Sequence, residues 1–169
     1  MQAFVNTFWD LDRHAERLVD PAALSTWLSQ RSLLDPDTTL SRLDLARALD
    51  VRAGLHALLF ANNSVPVDRD AVARLNRVLA RGGLALRLDA VAPPEFMAHG
   101  RDLDAALALL ASIVAVAQLD GRWFRLKACR GEHCGWAFYD HSRNQASNWC
   151  AMSLCGTRTK SREYRRRRR

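Results

Sequence analysis

Cys129, Cys134, Cys150 and Cys155 are the only cysteines of this chain, and they follow one another as C-x4-C-x15-C-x4-C within 27 residues. Two short knuckles, each offering two thiolates and joined by a loop long enough to fold back, make the donor set of a tetrahedral Zn²⁺ site. Each second cysteine is followed by glycine, Gly135 and Gly156, which predicts positive φ at both and backbone N–H groups turned toward the sulfurs. Four thiolates close the tetrahedron and leave no position for water or substrate, so one structural zinc is expected rather than a catalytic one. Two disulfides are the competing use of four cysteines. The chain opens MQAFVNTFWD, however, without the basic and then apolar regions of an export signal. Free core thiols would not be confined to one segment, and residues 1–128 contain none. His133 and His141 share the stretch and are read as solvated loop histidines rather than as replacement ligands.

Charge is divided along the chain in the same way. Residues 1–121 hold 12 Arg and no Lys against 15 acids, a net of −3, whereas residues 122–169 hold 13 Arg and Lys against 3, a net of +10. A zinc ion held by four thiolates carries a formal charge of about −2, which leaves roughly +8 on the C-terminal segment. Nucleic acid is the first partner such a field suggests, with anionic membrane and acidic proteins behind it. The longest apolar run, Ala105 to Ala117, is 13 residues broken only by Ser112, too short to cross a bilayer, and reads as a buried core helix. No membrane partner is expected, and the compartment expected is the cytoplasm.

The elements that must position these residues read as mostly helical over the first 121 positions. Asp20-Pro21 supplies an N-cap and an N1 proline, with Leu24, Trp27 and Leu28 following on one face. A longer helix is predicted from about Thr38 to Ala61, capped by Asp37, with Leu40, Leu43, Leu55, Leu58 and Leu59 as apolar positions; Asn62-Asn63-Ser64 and Pro66 end it. The next starts near Asp68, carries Val72, Leu75, Val78 and Leu79, and stops at Gly82-Gly83. The period then changes to two. Leu84, Leu86 and Leu88 alternate with Ala85, Arg87 and Asp89, predicting a short strand closed by Pro93-Pro94. The apolar helix of residues 102–119 follows, and alternation from Trp123 to Lys127 predicts a strand that delivers the chain to Cys129. The fold class expected is mainly α with a small β element. Residues 1–121 would form a helical domain, and residues 122–169 a small four-cysteine zinc-knuckle module ending in a basic helix or tail.

Between Cys129 and Cys155 the large apolar residues are Trp136, Phe138, Tyr139, Trp149, Met152 and Leu154. A unit of about 30 residues buries too little surface to hold itself together, so the metal must supply much of its folding free energy. The aromatics therefore read as a small core rather than as stacking platforms for bases. After Gly156 the segment TRTKSREYRRRRR has no Gly or Pro, and in helical register Arg158, Arg162, Arg165 and Arg169 share a face at offsets of 4, 3 and 4 residues. With Arg143, Lys160 and Arg166 they are the candidate nucleic-acid contacts, since Arg offers forks to phosphates and to guanine. The competing reading of the final five residues is a frayed, solvated tail, because consecutive arginines repel.

CRGEHCGWAFYDHSRN followed by WCAMSLCGTRTK resembles the bacterial CGNR zinc-finger proteins, whose pattern is C-x4-C with W, F, D and S after it, then WC-x4-CGNR and a basic tail. The N-terminal region is similar to their partner module, the ABATE domain, at Phe4-Val5-Asn6-Thr7, Trp27, Arg52 and Leu75-Asn76. The resemblance implies a stress-induced transcription regulator in which the finger binds DNA and the N-terminal domain senses a ligand. Two positions depart from the pattern: Thr157 replaces the name-giving asparagine, and Asn148 replaces an arginine before the Trp-Cys pair. Threonine can cap a helix that begins there but cannot make the bidentate contact of Asn with adenine, so if this chain binds DNA normally the family asparagine reads as a cap rather than a base reader. Asn148 removes a cation and predicts weaker phosphate binding.

The function expected is a zinc-dependent DNA-binding transcription regulator, its helical domain receiving a small-molecule ligand or mediating homodimerisation. The alternative, of a different class, is a zinc-stabilised platform for an acidic protein or RNA. An enzyme is not expected: no Ser-His-Asp, HExxH or phosphate-loop pattern is present, and His14, His56 and His99 have no motif around them. Asn6, Arg52 and Asn76 match polar positions of the ABATE pattern and are the candidate ligand contacts, with Arg52 as anion binder. The competing reading makes Arg52 an inter-helix ion pair and the asparagines caps.

Overall fold

The computed structural model describes residues 1–8 and 15–168; His14 and Arg169 lie outside the described residues. A single turn, α1 (Gln2–Val5), buries Phe4 and Val5. Helix α2 (Pro21–Ser29) starts as the sequence predicts, with the Asp20 carboxylate accepting the Ala23 N–H at 2.7 Å and Leu24, Trp27 and Leu28 buried. Helix α3 (Arg42–Ala61) begins later than expected, at Ser41 rather than Asp37. The Ser41 hydroxyl accepts the Asp44 N–H at 3.2 Å and the Asp44 carboxylate accepts the Ser41 N–H at 2.9 Å. This reciprocal box satisfies two orphan donors where Asp37 alone would satisfy one, and it leaves Leu43 exposed instead of on the core face. Helix α4 (Arg69–Leu79) starts where expected, and the Asp68 carboxylate caps it by accepting the Ala71 N–H at 2.9 Å.

The strand predicted over Leu84–Leu88 is β1 (Leu84–Arg87), and Pro93-Pro94 does not close the segment. The prolines belong to a hairpin loop, and β2 (Glu95–Ala98) pairs antiparallel with β1 in the register Leu84↔Ala98 to Arg87↔Glu95. No third strand joins this ribbon among the described residues, so Leu84 and Leu86 stay exposed. Helix α5 (Leu103–Leu119) begins at Asp102, which caps the Ala105 N–H at 2.8 Å. Its N-terminal half is core. Ile113, Val116 and Leu119 are exposed, which corrects the reading of a wholly buried helix. The strand expected from Trp123 starts only at Leu126: the Asp120 carboxylate accepts the Arg122 N–H at 3.0 Å, and residues Trp123–Arg125 are wound into a 3-10 turn. There follow β3 (Leu126–Ala128) and its antiparallel partner β4 (Ala137–Tyr139), then a π-type turn over Met152–Gly156 and helix α6 (Thr157–Arg167).

The architecture is thus mainly α with two small two-stranded sheets. One apolar cluster runs from Phe4 through Trp27, Leu55, Leu59 and Leu107 to Trp123, Ala128 and Ala137. The second sheet therefore shares the core of the helices rather than building its own. Among the described residues no helix is long and apolar enough to cross a membrane.

Candidate metal centre and nucleic-acid interface

Cys129 follows β3 directly, Cys134 precedes β4, Cys150 ends the loop between the knuckles, and Cys155 lies in the π-type turn that leads into α6. None is in a disulfide, and the four Sγ atoms all lie within 4.8 Å of one another. Cys134 and Cys150 are 3.7 Å apart and Cys150 and Cys155 3.8 Å. A regular tetrahedron with Zn–S bonds of about 2.3 Å has edges of about 3.8 Å, so the donor set fits zinc. The packing of the thiols also explains why a cation belongs there. Hydrogen bonds from the Cys134 and Cys150 thiols pull Cys129 down to about 2, whereas giving that bond to Cys129 pushes Cys134 up to about 12. Cys150 is pushed up further, by its bonds to Cys129 and Cys134 and by burial. Thiolates this close together repel one another, and a divalent ion offsets that repulsion.

Two backbone amides face the Cys129 sulfur, Gly131 N at 3.4 Å and Cys150 N at 3.3 Å. Gly135 has the expected positive φ of 68°, but Gly156 does not: its φ is −63°, helical. A Cβ at Gly156 would lie 2.3 Å from Met152 Sδ and 3.1 Å from Trp149 Cδ1, so a side chain there would displace the flexible Met152 and press on the indole. His133 and His141 are exposed, in keeping with solvated loop positions.

The loop between the knuckles is held by a pair of which the motif pattern announces only one member, the aspartate Asp140. Lys127 and Asp140, 5% and 1% exposed, form an ion pair at 2.9 Å. The Lys127 ammonium also donates to the carbonyls of Gln145 and Ser147, and Asp140 accepts the Ser142 hydroxyl at 2.6 Å and the N–H groups of Ser142 and Ser147. Burial opposes ionisation of Asp140, yet these donors hold its carboxyl well below the usual carboxylate range. The available signal was a lone lysine inside an apolar alternation, in a chain with only two lysines.

Docking of the module onto the helices is done by amides. The Asn6 side chain pairs with Ala137 like a neighbouring strand, donating to its carbonyl at 3.0 Å and accepting its N–H at 2.8 Å. Asn62 donates to the Trp123 and Leu126 carbonyls, Asn63 to those of Ala128 and Asn148, and Gln2 to that of Ala137. His56, whose burial pushes its pKa down, bonds the Gly135 carbonyl through Nε2 at 2.6 Å. From sequence, Asn62-Asn63 read only as a helix stop; nothing local announces a partner 65 or 85 residues away.

Helix α6 extends through Arg167, so the arginine run is helical where it is described. Arg158, Lys160, Arg165 and Arg166 are exposed along it, and Arg143 is exposed on the loop between the knuckles. Arg162 forms an ion pair with Glu132 of the first knuckle. Thr157 does not cap α6; its hydroxyl donates back to the Met152 carbonyl at 3.0 Å and closes the turn. Of the inter-knuckle apolar residues, Phe138 is buried, but Met152 and Leu154 are exposed rather than core.

Asn6, Arg52 and Asn76 do not meet. Asn6 serves Ala137, Asn76 is exposed on α4, and Arg52 is 9% exposed with its guanidinium on Glu16 at 2.8 and 2.5 Å and on the Thr7 hydroxyl at 2.9 Å. The ion pair of the competing reading is present, with a partner in the segment before α2 rather than on a helix.

Comparison with known proteins agrees with this layout. The family model for the CGNR zinc finger matches residues 125–168. The ABATE model, described as "Putative stress-induced transcription regulator", matches residues 1–120. No curated protein matches the chain. These are a regulator family and a zinc-finger family, not enzyme families. With the four thiols gathered at metal-binding distance, the finger is one that takes a single structural zinc. The chain belongs to the ABATE family and carries a C-terminal CGNR zinc finger.

Proposed function

We propose that Cys129, Cys134, Cys150 and Cys155 ligate the zinc, and that the finger of residues 122–169 binds DNA under the control of the helical domain of residues 1–121, in the cytoplasm and in response to stress. One observation carries this reading: a helix bearing Arg158, Lys160, Arg165 and Arg166 on its exposed surface starts at the metal cluster, so the zinc fixes where those cations stand. Rigid cations at helical spacing suit the phosphate backbone, and the remaining module charge favours it. The test is fluorescence anisotropy of zinc-loaded protein on a random-sequence duplex across a salt series, beside a variant ending at Lys160. Binding should weaken steeply with salt, and the truncation should flatten the slope by about 0.9 for each phosphate it no longer neutralises. No binding at low salt, with zinc at one per chain, would leave the finger as a platform for an acidic protein or RNA.

The ligand-sensing part of the proposal rests on a different place from the one the sequence suggested. A cleft of about 520 Å³ opens between α5, the first hairpin and the second sheet, walled by Phe96, Ile113, Val116, Leu126 and Tyr139. Its volume is that of a small-molecule site. The charges at its rim are already paired, Arg122 with Asp120 at 2.5 Å and Glu95 with Arg87 at 2.5 Å. A neutral, largely apolar molecule suits it. Leu126 and Tyr139 face each other in the β3–β4 register, so an occupant would touch the sheet that carries the first knuckle. Titration with an uncharged fluorescent dye such as Nile red should give saturable binding that Val116→Trp weakens at least tenfold by filling the cleft. Unchanged dye binding in that variant removes this site from consideration.

A further inference from the structure

A second groove, of about 520 Å³, lies between the first knuckle and α6, and its walls are Arg130, Glu132, Thr159, Arg162 and Arg166. Thr159, Arg162 and Arg166 follow at offsets of 3 and 4 and so share one face of the helix. Arg130, next to Cys129, faces them from the opposite wall. The two walls are held at fixed separation by the metal centre itself. Gly131 sits so close to Cys155 that a Cβ would be 2.9 Å from both its Cβ and its Sγ, and the Arg130 N–H is tied to the Asn148 carbonyl at 3.0 Å. Among the described residues no apolar side chain lines the groove, and three guanidinium groups face one carboxylate. That carboxylate, Glu132, is paired with Arg162 and lies 3.5 Å from the exposed His133.

We propose that this groove is a seat for one phosphodiester of bound nucleic acid, and that Glu132 is an internal competitor which occupies Arg162 until the phosphate replaces it. The inference rests on the DNA-binding reading above and assigns it a place and a governor. Charge complementarity selects the occupant. Three arginines converging from two walls match a phosphate's divided oxygens, and Arg forms the paired N–H bonds that such a group accepts. An apolar ligand finds no surface there. Glu132 has no counterpart among the cations' needs once a phosphate is present, because each phosphate oxygen then accepts what the carboxylate accepted. In the free protein it neutralises Arg162; in the complex it is expelled toward solvent, which its exposed position permits. The ion pair therefore subtracts from affinity for every duplex alike, and a weak non-specific background results.

The experiment is a set of anisotropy titrations on full-length zinc-loaded protein, with zinc content and circular dichroism recorded for each variant. Glu132→Gln should tighten binding to a random duplex about five- to tenfold at about 0.1 M salt, whereas Arg130→Gln should weaken it by a similar factor while lowering the salt slope by less than about 0.9, since Arg162 and Arg166 still neutralise the same phosphate. In an Arg162→Gln background the gain from Glu132→Gln should fall below twofold, because the competitor then has nothing to release. That coupling separates a competitor from a merely unfavourable surface charge. Wild-type binding with Glu132→Gln and Arg130→Gln both unchanged overturns the seat while leaving DNA binding intact. A duplex that binds no variant, with polyglutamate bound in its place, overturns both the seat and the reading beneath it in favour of an acidic protein partner.

Discussion

Replacing Cys150 with serine is expected to abolish zinc binding and DNA binding together while sparing most of the helical structure. Cys150 Sγ lies 3.7 Å from that of Cys134 and 3.8 Å from that of Cys155, and its loss leaves three thiolates for an ion that takes four. Structural zinc contributes about 10–16 kcal/mol of apparent binding free energy in small finger peptides. The inter-knuckle segment has little else: Met152 and Leu154 are exposed, and Trp136 and Trp149 are only half-buried. Colorimetric zinc release should fall from one per chain to background, the near-ultraviolet signal of the knuckle tryptophans should vanish, and the far-ultraviolet helical signal should lose little. A strong chelator applied to the wild type should reproduce the result. A serine variant that retained both zinc and duplex binding would sink the four-thiolate centre.

The second large effect is expected at Asp140, where alanine should cost about 3–5 kcal/mol, the range for stranding one partner of a buried ion pair. Lys127 would keep its charge in a site 5% exposed, with two carbonyls but no anion. Three further donors, the Ser142 hydroxyl and the Ser142 and Ser147 amides, would lose their acceptor at once. Asp140→Asn keeps an acceptor and should cost less, and Lys127→Met combined with Asp140→Leu should recover much of the loss, since an apolar pair needs no partner. Urea unfolding at pH 7 reads the whole contribution. A carboxyl whose folded pKa is depressed stabilises the native state above its unfolded value of about 3.9 and ceases to do so only as the pH falls through the folded one. Equal urea midpoints for wild type and Asp140→Ala would show that the loop does not depend on the pair.

How far the sequence could be read depended on the range of the interaction that decides each feature. Asp20, Asp68 and Asp102 each cap the helix they precede because a cap involves residues three apart. The cysteine cluster was legible for a related reason: ligand spacing is a local pattern even where the ion joins two knuckles. Ser41 displaced Asp37 because a reciprocal box outweighs a single cap, a contest that propensity alone does not rank. The partner of β1 was hidden behind two prolines that mark a hairpin loop as readily as an end. The Lys127–Asp140 pair and the amide contacts of Asn6, Asn62 and Asn63 were not legible, since which carbonyl an asparagine finds is settled by tertiary packing. Arg52 lay between these cases: its burial by a carboxylate was foreseeable, its choice of Glu16 was not.

The pairing of Asn6 with Ala137 joins positions 131 residues apart, and this separation bears on the order in which the protein matures. Synthesis proceeds from the N-terminus, so the helical body is complete while the second knuckle is still inside the ribosome. Its surface then already presents Asn6, Asn62 and Asn63, side chains that bond the main chain of whatever strand is laid against them. The sheet laid against them carries Cys129 and Cys134 between its two strands, so the body bears on the same two ligands that the metal does. Part of the loop-closure entropy that an isolated finger must overcome on taking up its metal is thereby met by the body on which the first knuckle rests.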